Sequence, residues 1–275
     1  MKKVVILGSN GMAGHIISQY FNSFPEKYNL KCLSRKEIDI NSDLPDLIKL
    51  IEEINPNIII NCIGVLIKAS QENPAQAIFI NSLFPHILEA LTKDTETKII
   101  HLSTDCIFKG DVAGKYSEND LPTETNWYGR SKALGELNNN KDLTLRMSII
   151  GPQLNNNMSL FHWVTTTKEE ILQGFDSVFW NGITTLELAK QIDQLIDINL
   201  TGVYHLVSNN SITKGDLIRL INEIFNCKKI VKSNKEIYQN KILANNRIKE
   251  YNPNIPDYRI QLEELKAWCE NGYKI

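Results

Sequence analysis

The stretch Val4-Val5-Ile6-Leu7-Gly8-Ser9-Asn10-Gly11-Met12-Ala13-Gly14 decides how the rest of the chain is read. A short apolar run stops at Gly8, and Gly11 and Gly14 follow at three-residue intervals. A buried strand therefore ends at Gly8 and a helix begins near Gly11. This is how a parallel α/β sheet turns backbone N–H groups and a helix N-terminus toward a phosphate. The spacing is Gly-x-x-Gly-x-x-Gly, not the commoner Gly-x-Gly-x-x-Gly, and ordinary βα turns carry glycines too. Its place between strand and helix favours a phosphate-bearing cofactor, with Gly8, Asn10, Gly11, Met12 and Gly14 as the expected contacts.

Outward from this turn, Met12, Ile16, Ile17 and Tyr20 recur at helical spacing and predict a helix packed on a sheet. A second strand over 31–33 ends in Ser34-Arg35-Lys36, about twenty residues past Gly14. An acidic residue there suits the ribose 2′-OH of NAD, and an arginine suits the 2′-phosphate of NADP. Ser34 and Arg35 come first and Asp39 only later. The expected cofactor is NADPH, with NADH as the alternative; a solvated turn is the plainer reading of the same residues.

Residues 44–54 predict an amphipathic helix stopped by Asn55-Pro56. Residues 57–64 follow as a strand apolar enough to be buried on both faces. Its end, Cys62-Ile63-Gly64, is expected against the cofactor. A long helix over 74–92 precedes a fourth strand, 97–102, that closes in Ser103-Thr104-Asp105. Polar residues at the C-terminal end of a parallel strand sit where such sheets bind ligands, although a hydroxyl pair also caps turns. On the helix that begins near Trp127, Tyr128 and Lys132 share one face. A nearby ammonium lowers a phenol's pKa and eases proton exchange. Tyr-x-x-x-Lys by itself also occurs in ordinary amphipathic helices.

A fifth strand over 143–147 leads to Gly151-Pro152, where the first lobe ends. The expected division is a cofactor-binding domain over 1–151, with 181–207 returning to it, and a substrate lobe over 152–275. In that lobe 160–166, 168–172, 184–198, 214–225 and 261–270 read as helices, and 177–180 and 202–207 as strands.

The 275 residues carry a net charge of −2, which gives no reason to expect nucleic acid or an anionic membrane as partner. The apolar runs are too short for a signal sequence or a membrane span. Five scattered cysteines form no Cys-x-x-Cys or Cys/His cluster, so neither a metal site nor a disulfide framework is expected, and a reducing cytoplasm fits. His15, His101 and His205 read first as fold or surface residues.

Together the glycine turn, Ser103-Thr104-Asp105-Cys106-Ile107-Phe108-Lys109-Gly110 and Tyr128-Gly129-Arg130-Ser131-Lys132-Ala133-Leu134-Gly135-Glu136 resemble the extended short-chain dehydrogenase/reductases. The likeness is to the dTDP-4-dehydrorhamnose reductase branch, whose pattern reads Ser-Thr-Asp-Tyr-Val-Phe-Asp-Gly and then Tyr-Gly-x-Ser-Lys-x-x-Gly-Glu. Leu145-Arg146, Thr184 to Ala189 and Gly202 to Leu206 continue it. The resemblance implies an α/β fold, a Rossmann-type doubly wound parallel sheet with a smaller C-terminal substrate lobe. It implies reduction of the C4 ketone of a nucleoside-diphosphate 4-keto-6-deoxyhexose, a step of deoxysugar and surface-polysaccharide synthesis.

By that pattern Tyr128 protonates the developing alkoxide, Lys132 holds the nicotinamide ribose and Thr104 hydrogen-bonds the ketone oxygen. Ser103 lies toward the cofactor. Val65, Asp105, Cys106, Arg146, Trp180 and Arg247 are candidates toward the substrate, with Arg259 and Trp163 behind them. Cys106 stands where the branch has tyrosine, and Val65-Leu66-Ile67-Lys68 is more apolar than its pattern. Both departures leave the sugar open, so a UDP-linked 2-acetamido sugar is the first alternative. An epimerase and a non-catalytic nucleotide-binding subunit are the others. A homodimer is left open.

Overall fold

The computed structural model describes residues 1–112, 114–154 and 159–271. The strand–helix alternation begins with β1 (Lys2–Leu7), α1 (Met12–Asn22), β2 (Tyr28–Leu33), α2 (Leu44–Ile54) and β3 (Ile58–Asn61). Next come α3 (Ile67–Glu72), α4 (Pro74–Ala77), a π-helical turn (Ile78–Leu83), α5 (Phe84–Thr92) and β4 (Lys98–Leu102). A 3-10 turn (Asp105–Ile107) precedes α6 (Trp127–Leu134) and β5 (Leu143–Arg146). Then follow β6 (Ile149–Ile150), α7 (Leu160–Thr166), β7 (Ile171–Phe175), β8 (Val178–Trp180) and β9 (Ile183–Thr184). The chain continues through α8 (Thr185–Leu195), β10 (Gly202–His205), β11 (Ile212–Thr213) and α9 (Lys214–Ile224). It closes with β12 (Ile230–Asn234), β13 (Gln239–Asn240) and α10 (Tyr258–Glu270).

Six strands form one parallel sheet in the order β10-β5-β4-β3-β1-β2. The period of two along a strand sends alternate residues to opposite faces. Val4 and Ile6, with Ile58, Ile60 and Ile100, join the apolar cluster under α1 and α8. Val5 and Leu7, with Ile59 and Ile99, join the cluster under α2 and α5. Both faces are thus covered, which explains the unbroken isoleucine runs. The chain leaves β1 toward β2 on one side and reaches β3 on the other. That reversal opens a crevice at the C-terminal ends of β1 and β3, where doubly wound sheets bind ligands.

Outside the main sheet lie the sets β11-β8-β13, β12-β7 and β6-β9. In place of the helix expected over 168–172, residues 168–170 are irregular and 171–172 begin β7, which pairs in parallel with β12. Leu172 and Gly174 turn inward while Ile171 and Gln173 face out, so the local period is two and not 3.6. The single long helix expected over 74–92 is interrupted by the π-helical turn. Such turns displace one residue from the helical register, and here Asn81 lies within it, fully buried.

Gly14 fixes how closely α1 meets β1. A Cβ on it would lie 2.1 Å from the Gly8 carbonyl oxygen, and Gly8 itself has φ +76°, a backbone that other residues rarely adopt. Gly14→Ala is expected to lower stability by about 1–3 kcal/mol through overpacking, read from the midpoint of urea unfolding. An unchanged midpoint overturns this account of the turn.

Candidate active site

A cavity of about 390 Å³ opens at the crevice, lined by Gly8, Asn10, Gly11, Arg35, Asp39, Cys62, Ile63, Gly64 and Val65, among others. The Gly8 and Ser9 N–H groups are taken by the Leu33 carbonyl at 2.8 and 3.1 Å, which folds the turn back over β2. Gly11 is the N-cap of α1, and no acidic side chain occupies the first helical turn. The positive end of the helix dipole therefore meets the cavity without a built-in counter-charge.

Of the expected cofactor contacts, Met12, Gly14, Ser34, Ser103 and Lys132 do not line this cavity. Met12 lines a neighbouring cleft instead. Ser34 is buried, its N–H donating to Glu37 Oε2 at 2.8 Å and its hydroxyl bonded to the same carboxylate. Glu37, three residues on, satisfies it locally as a capping side chain does. Arg35 is largely exposed at the cavity edge, and its Nε donates to Asp39 Oδ2 at 2.8 Å. Hydrogen bonds from the Asn41 backbone and side chain, then Arg35, hold Asp39 below the usual carboxylate range.

The second half of the site is built by two glycines, Gly129 on α6 and Gly135 capping its C-terminal end. A Cβ at Gly129 would lie 2.4 Å from the Cys106 carbonyl oxygen, and one at Gly135 would lie 1.9 Å from that of Asn81. Their bare backbones let α6 seat against both the 3-10 turn and the π-helical turn. Asn126 starts the helix by accepting from the Gly129 N–H at 2.8 Å. Tyr128 is thereby brought beside Thr104, whose hydroxyl acts to lower the phenol's pKa. Thr104 Oγ1 also accepts from the Cys106 N–H at 3.1 Å, which fixes its rotamer.

Burial, with Cys106 and Asp105 nearby, raises the Tyr128 phenol above its usual range. Lys132 is almost fully buried and donates to the Leu102 carbonyl at 2.7 Å. Burial pulls its ammonium down to about 8. Burial is the largest effect at both groups, raising the phenol and lowering the ammonium. A fully protonated phenol remains well suited to donate.

Burial also raises Asp105, and it pushes the Cys106 thiol up to about 12, so Cys106 is a neutral surface at neutral pH. Ser103 donates to Glu136 Oε1 at 2.7 Å.

Trp180, stacked obliquely on Tyr258, lines the neighbouring cleft with Met12, Ser148, Ser159, Lys214 and Leu217. Arg146 and Arg247 do not reach it. Arg146 makes a buried two-pronged pair with Glu136, at 2.8 and 2.7 Å. Arg247 donates to the Thr201 and Val203 carbonyls, each at 2.7 Å, and pairs with Glu250. Both line a separate depression with Glu118. Arg259 is paired with Glu223 on the outside of α10, and Trp163 packs against the core.

Sequence reasoning gave no site role to Asn61, Asn81, His101, Lys214 or Glu136. Lys214 and Lys241 are the cations that face Asp105. Asn61 and His101 each close an isoleucine run, and they are direct neighbours across β3 and β4. Two polar residues at one register of an otherwise apolar sheet are the signal that could have found them.

A Gly-x-x-Gly-x-x-Gly turn on a six-stranded parallel sheet, with a Thr/Tyr/Lys set at the end of β4, defines an extended short-chain dehydrogenase/reductase. The family model described as "RmlD substrate binding domain" matches residues 1–246, and the chain belongs to that family. A probable low-salt glycan biosynthesis reductase, Agl14, of Haloferax volcanii is 28% identical over 242 residues, spanning 80% of this chain and 79% of its own. The dTDP-4-keto-6-deoxy-D-glucose reductase of Streptomyces niveus is 24% identical over 225 residues, spanning 78% and 76%. The dTDP-4-dehydrorhamnose reductase of Bacillus anthracis, solved with NADP, superposes with a TM-score of 0.85 at 24% identity, over 98% of this chain and 99% of that one. Among the described residues no helix is long and apolar enough to cross a membrane.

Proposed function

We propose that the chain is an NADPH-dependent reductase of the C4 ketone of a nucleoside-diphosphate 4-keto-6-deoxyhexose. The observation that carries this reading is the placing of Tyr128 beside Thr104 and of Lys132 on the same helix, which Gly129 and Gly135 seat beside the glycine-lined cavity. The cavity fits the cofactor: bare backbone at Gly8 and Gly11, an uncompensated helix N-terminus, and Arg35 at the edge. NADH is the alternative, since Asp39 already takes Arg35 Nε. The family and the named reductases among its relatives support a sugar nucleotide as substrate.

When bound, the nicotinamide supplies hydride to the ketone carbon. The carbonyl oxygen gains negative charge as that bond forms. Tyr128 gives its proton to this oxygen, and the Thr104 hydroxyl stabilises it as charge develops. Lys132 holds the ribose. Burial keeps the Tyr128 proton in place until an oxyanion forms to take it. The segments beyond 152 that lie outside the main sheet, with 181–207 returning to it through α8 and β10, supply the lobe over the nucleotide sugar, with Trp180 and Lys214, and not Arg146 or Arg247, toward base and diphosphate.

The test is a panel of dTDP-linked and UDP-linked 4-keto-6-deoxy sugars, with and without a 2-acetamido group, incubated with NADPH. Loss of reduced cofactor with at least one is expected. Inactivity on all of them overturns the reductase reading in favour of a nucleotide-binding subunit, and turnover of the 2-acetamido member alone moves the substrate to that class.

A further inference from the structure

His101 is completely buried at the heart of the site, and the chemistry above makes no use of it. Its Nε2 lies 3.3 Å from Lys132 Nζ, and its Nδ1 lies 3.1 Å from Asn61 Nδ2. Both ring nitrogens therefore face nitrogen, and each contact needs one donor and one acceptor. Asn61 settles the first. Its Oδ1 accepts from the Ile63 N–H at 3.1 Å, so its amide nitrogen must point at His101 and donate to Nδ1. A neutral imidazole carries one N–H, which then sits on Nε2 and points at Lys132. An ammonium has no lone pair to receive it; an uncharged amine has one.

We propose that His101 is a positioning residue for Lys132: oriented by Asn61, it directs Nε2–H at the lysine nitrogen and biases it toward the uncharged amine in the cofactor-free protein. Burial acts in the same direction, holding Lys132 at about 8, and burial plus the Lys132 charge keep His101 well below its usual value and hence neutral. The other groups facing this pair are Cys62 after β3, Glu136 two residues past α6 and His86 on α5, with Tyr128 one helical turn away. Glu136 favours the ammonium, but its carboxylate is already committed to Arg146 and Ser103. Charging Lys132 requires the imidazole to move its proton to Nδ1 and the Asn61 amide to turn. The lysine charge and the histidine tautomer are therefore one coupled state.

A consequence rests on the proposed cofactor site. Bringing ribose hydroxyls to Lys132 gives an ammonium new acceptors, so binding takes up a proton from solvent above the lysine's midpoint. NADPH affinity is then flat below that midpoint and falls by up to about tenfold per pH unit above it.

The decisive experiment uses the cofactor-free protein. Lysine labelled with 13C at Cε is titrated by NMR, Lys132 being identified by the signal lost in Lys132→Met, and the 15N shifts of the histidine rings are recorded at high pH. The expected results are a Lys132 midpoint near 8, an Nε2–H tautomer at His101, and a His101→Leu midpoint higher by about one pH unit or more, because the donor to the neutral form is gone. His101→Gln, which keeps a donor at the Nε2 position, retains the low midpoint. An Nδ1–H tautomer at high pH overturns the proposal even if no variant folds, as does a midpoint in His101→Leu that does not rise. Failure of NADPH to bind at any pH would sink the cofactor reading, while the free-protein spectra still decide the role of His101.

Discussion

Tyr128→Phe is expected to lower kcat by ~10²–10⁴-fold, the usual contribution of a positioned general acid. The substitution removes one oxygen and leaves the ring, so α6 keeps its seat against the 3-10 turn and the cavity walls are untouched. Cofactor affinity should therefore remain near that of the unmodified protein. Thr104 keeps its bond from the Cys106 N–H. The residual rate reflects Thr104 and the bound geometry alone. Stopped-flow oxidation of NADPH by the active sugar nucleotide measures the change, and a rate within a few-fold of the original removes Tyr128 from the chemistry.

Glu136→Ala should produce the largest loss of stability. Glu136 and Arg146 are more than nine-tenths buried and joined by two charge-assisted hydrogen bonds. Deleting the carboxylate leaves a guanidinium uncompensated in the interior and takes the acceptor from Ser103. Breaking a buried pair in this way costs about 3–5 kcal/mol, a large share of the ~5–15 kcal/mol that folded domains possess. Replacing both partners, as Glu136→Leu with Arg146→Met, should recover much of the loss, because an apolar pair carries no desolvation penalty. Urea unfolding of the single and double variants tests both statements. A single variant that loses under 1 kcal/mol, or a double variant no better than the single, contradicts them.

What was legible in the sequence were the features with a period or a fixed local geometry. The isoleucine runs at 58–60 and 99–100 gave buried parallel strands, and the glycine turn gave the strand–helix junction beneath the cavity. Gly129 and Gly135 stood in the motif, but their purpose needs three dimensions, since each leaves room for a carbonyl from a segment distant in sequence. The arginines misled for a related reason. Arg146 and Arg247 read as substrate contacts because a sequence does not show which carboxylates and carbonyls surround a guanidinium. Ser34 misled in the opposite way, for its partner Glu37 was only three residues off. The helix expected over 168–172 failed because a five-residue window carries too little pattern to separate a short helix from β7.

The π-helical turn has a mechanical meaning. Asn81 accepts from the Val65 N–H at 2.8 Å, returns a hydrogen bond to the Val65 carbonyl at 3.0 Å and donates to Ser131 Oγ at 3.0 Å. Val65 is part of the cavity wall, and Ser131 lies next to Lys132. One amide thus rivets the wall of the cavity to the helix that carries the acid. Any displacement of Val65 by an occupant pulls on the same joint that sets the height of Tyr128 and Lys132, so the two halves of the site are strung on a single truss.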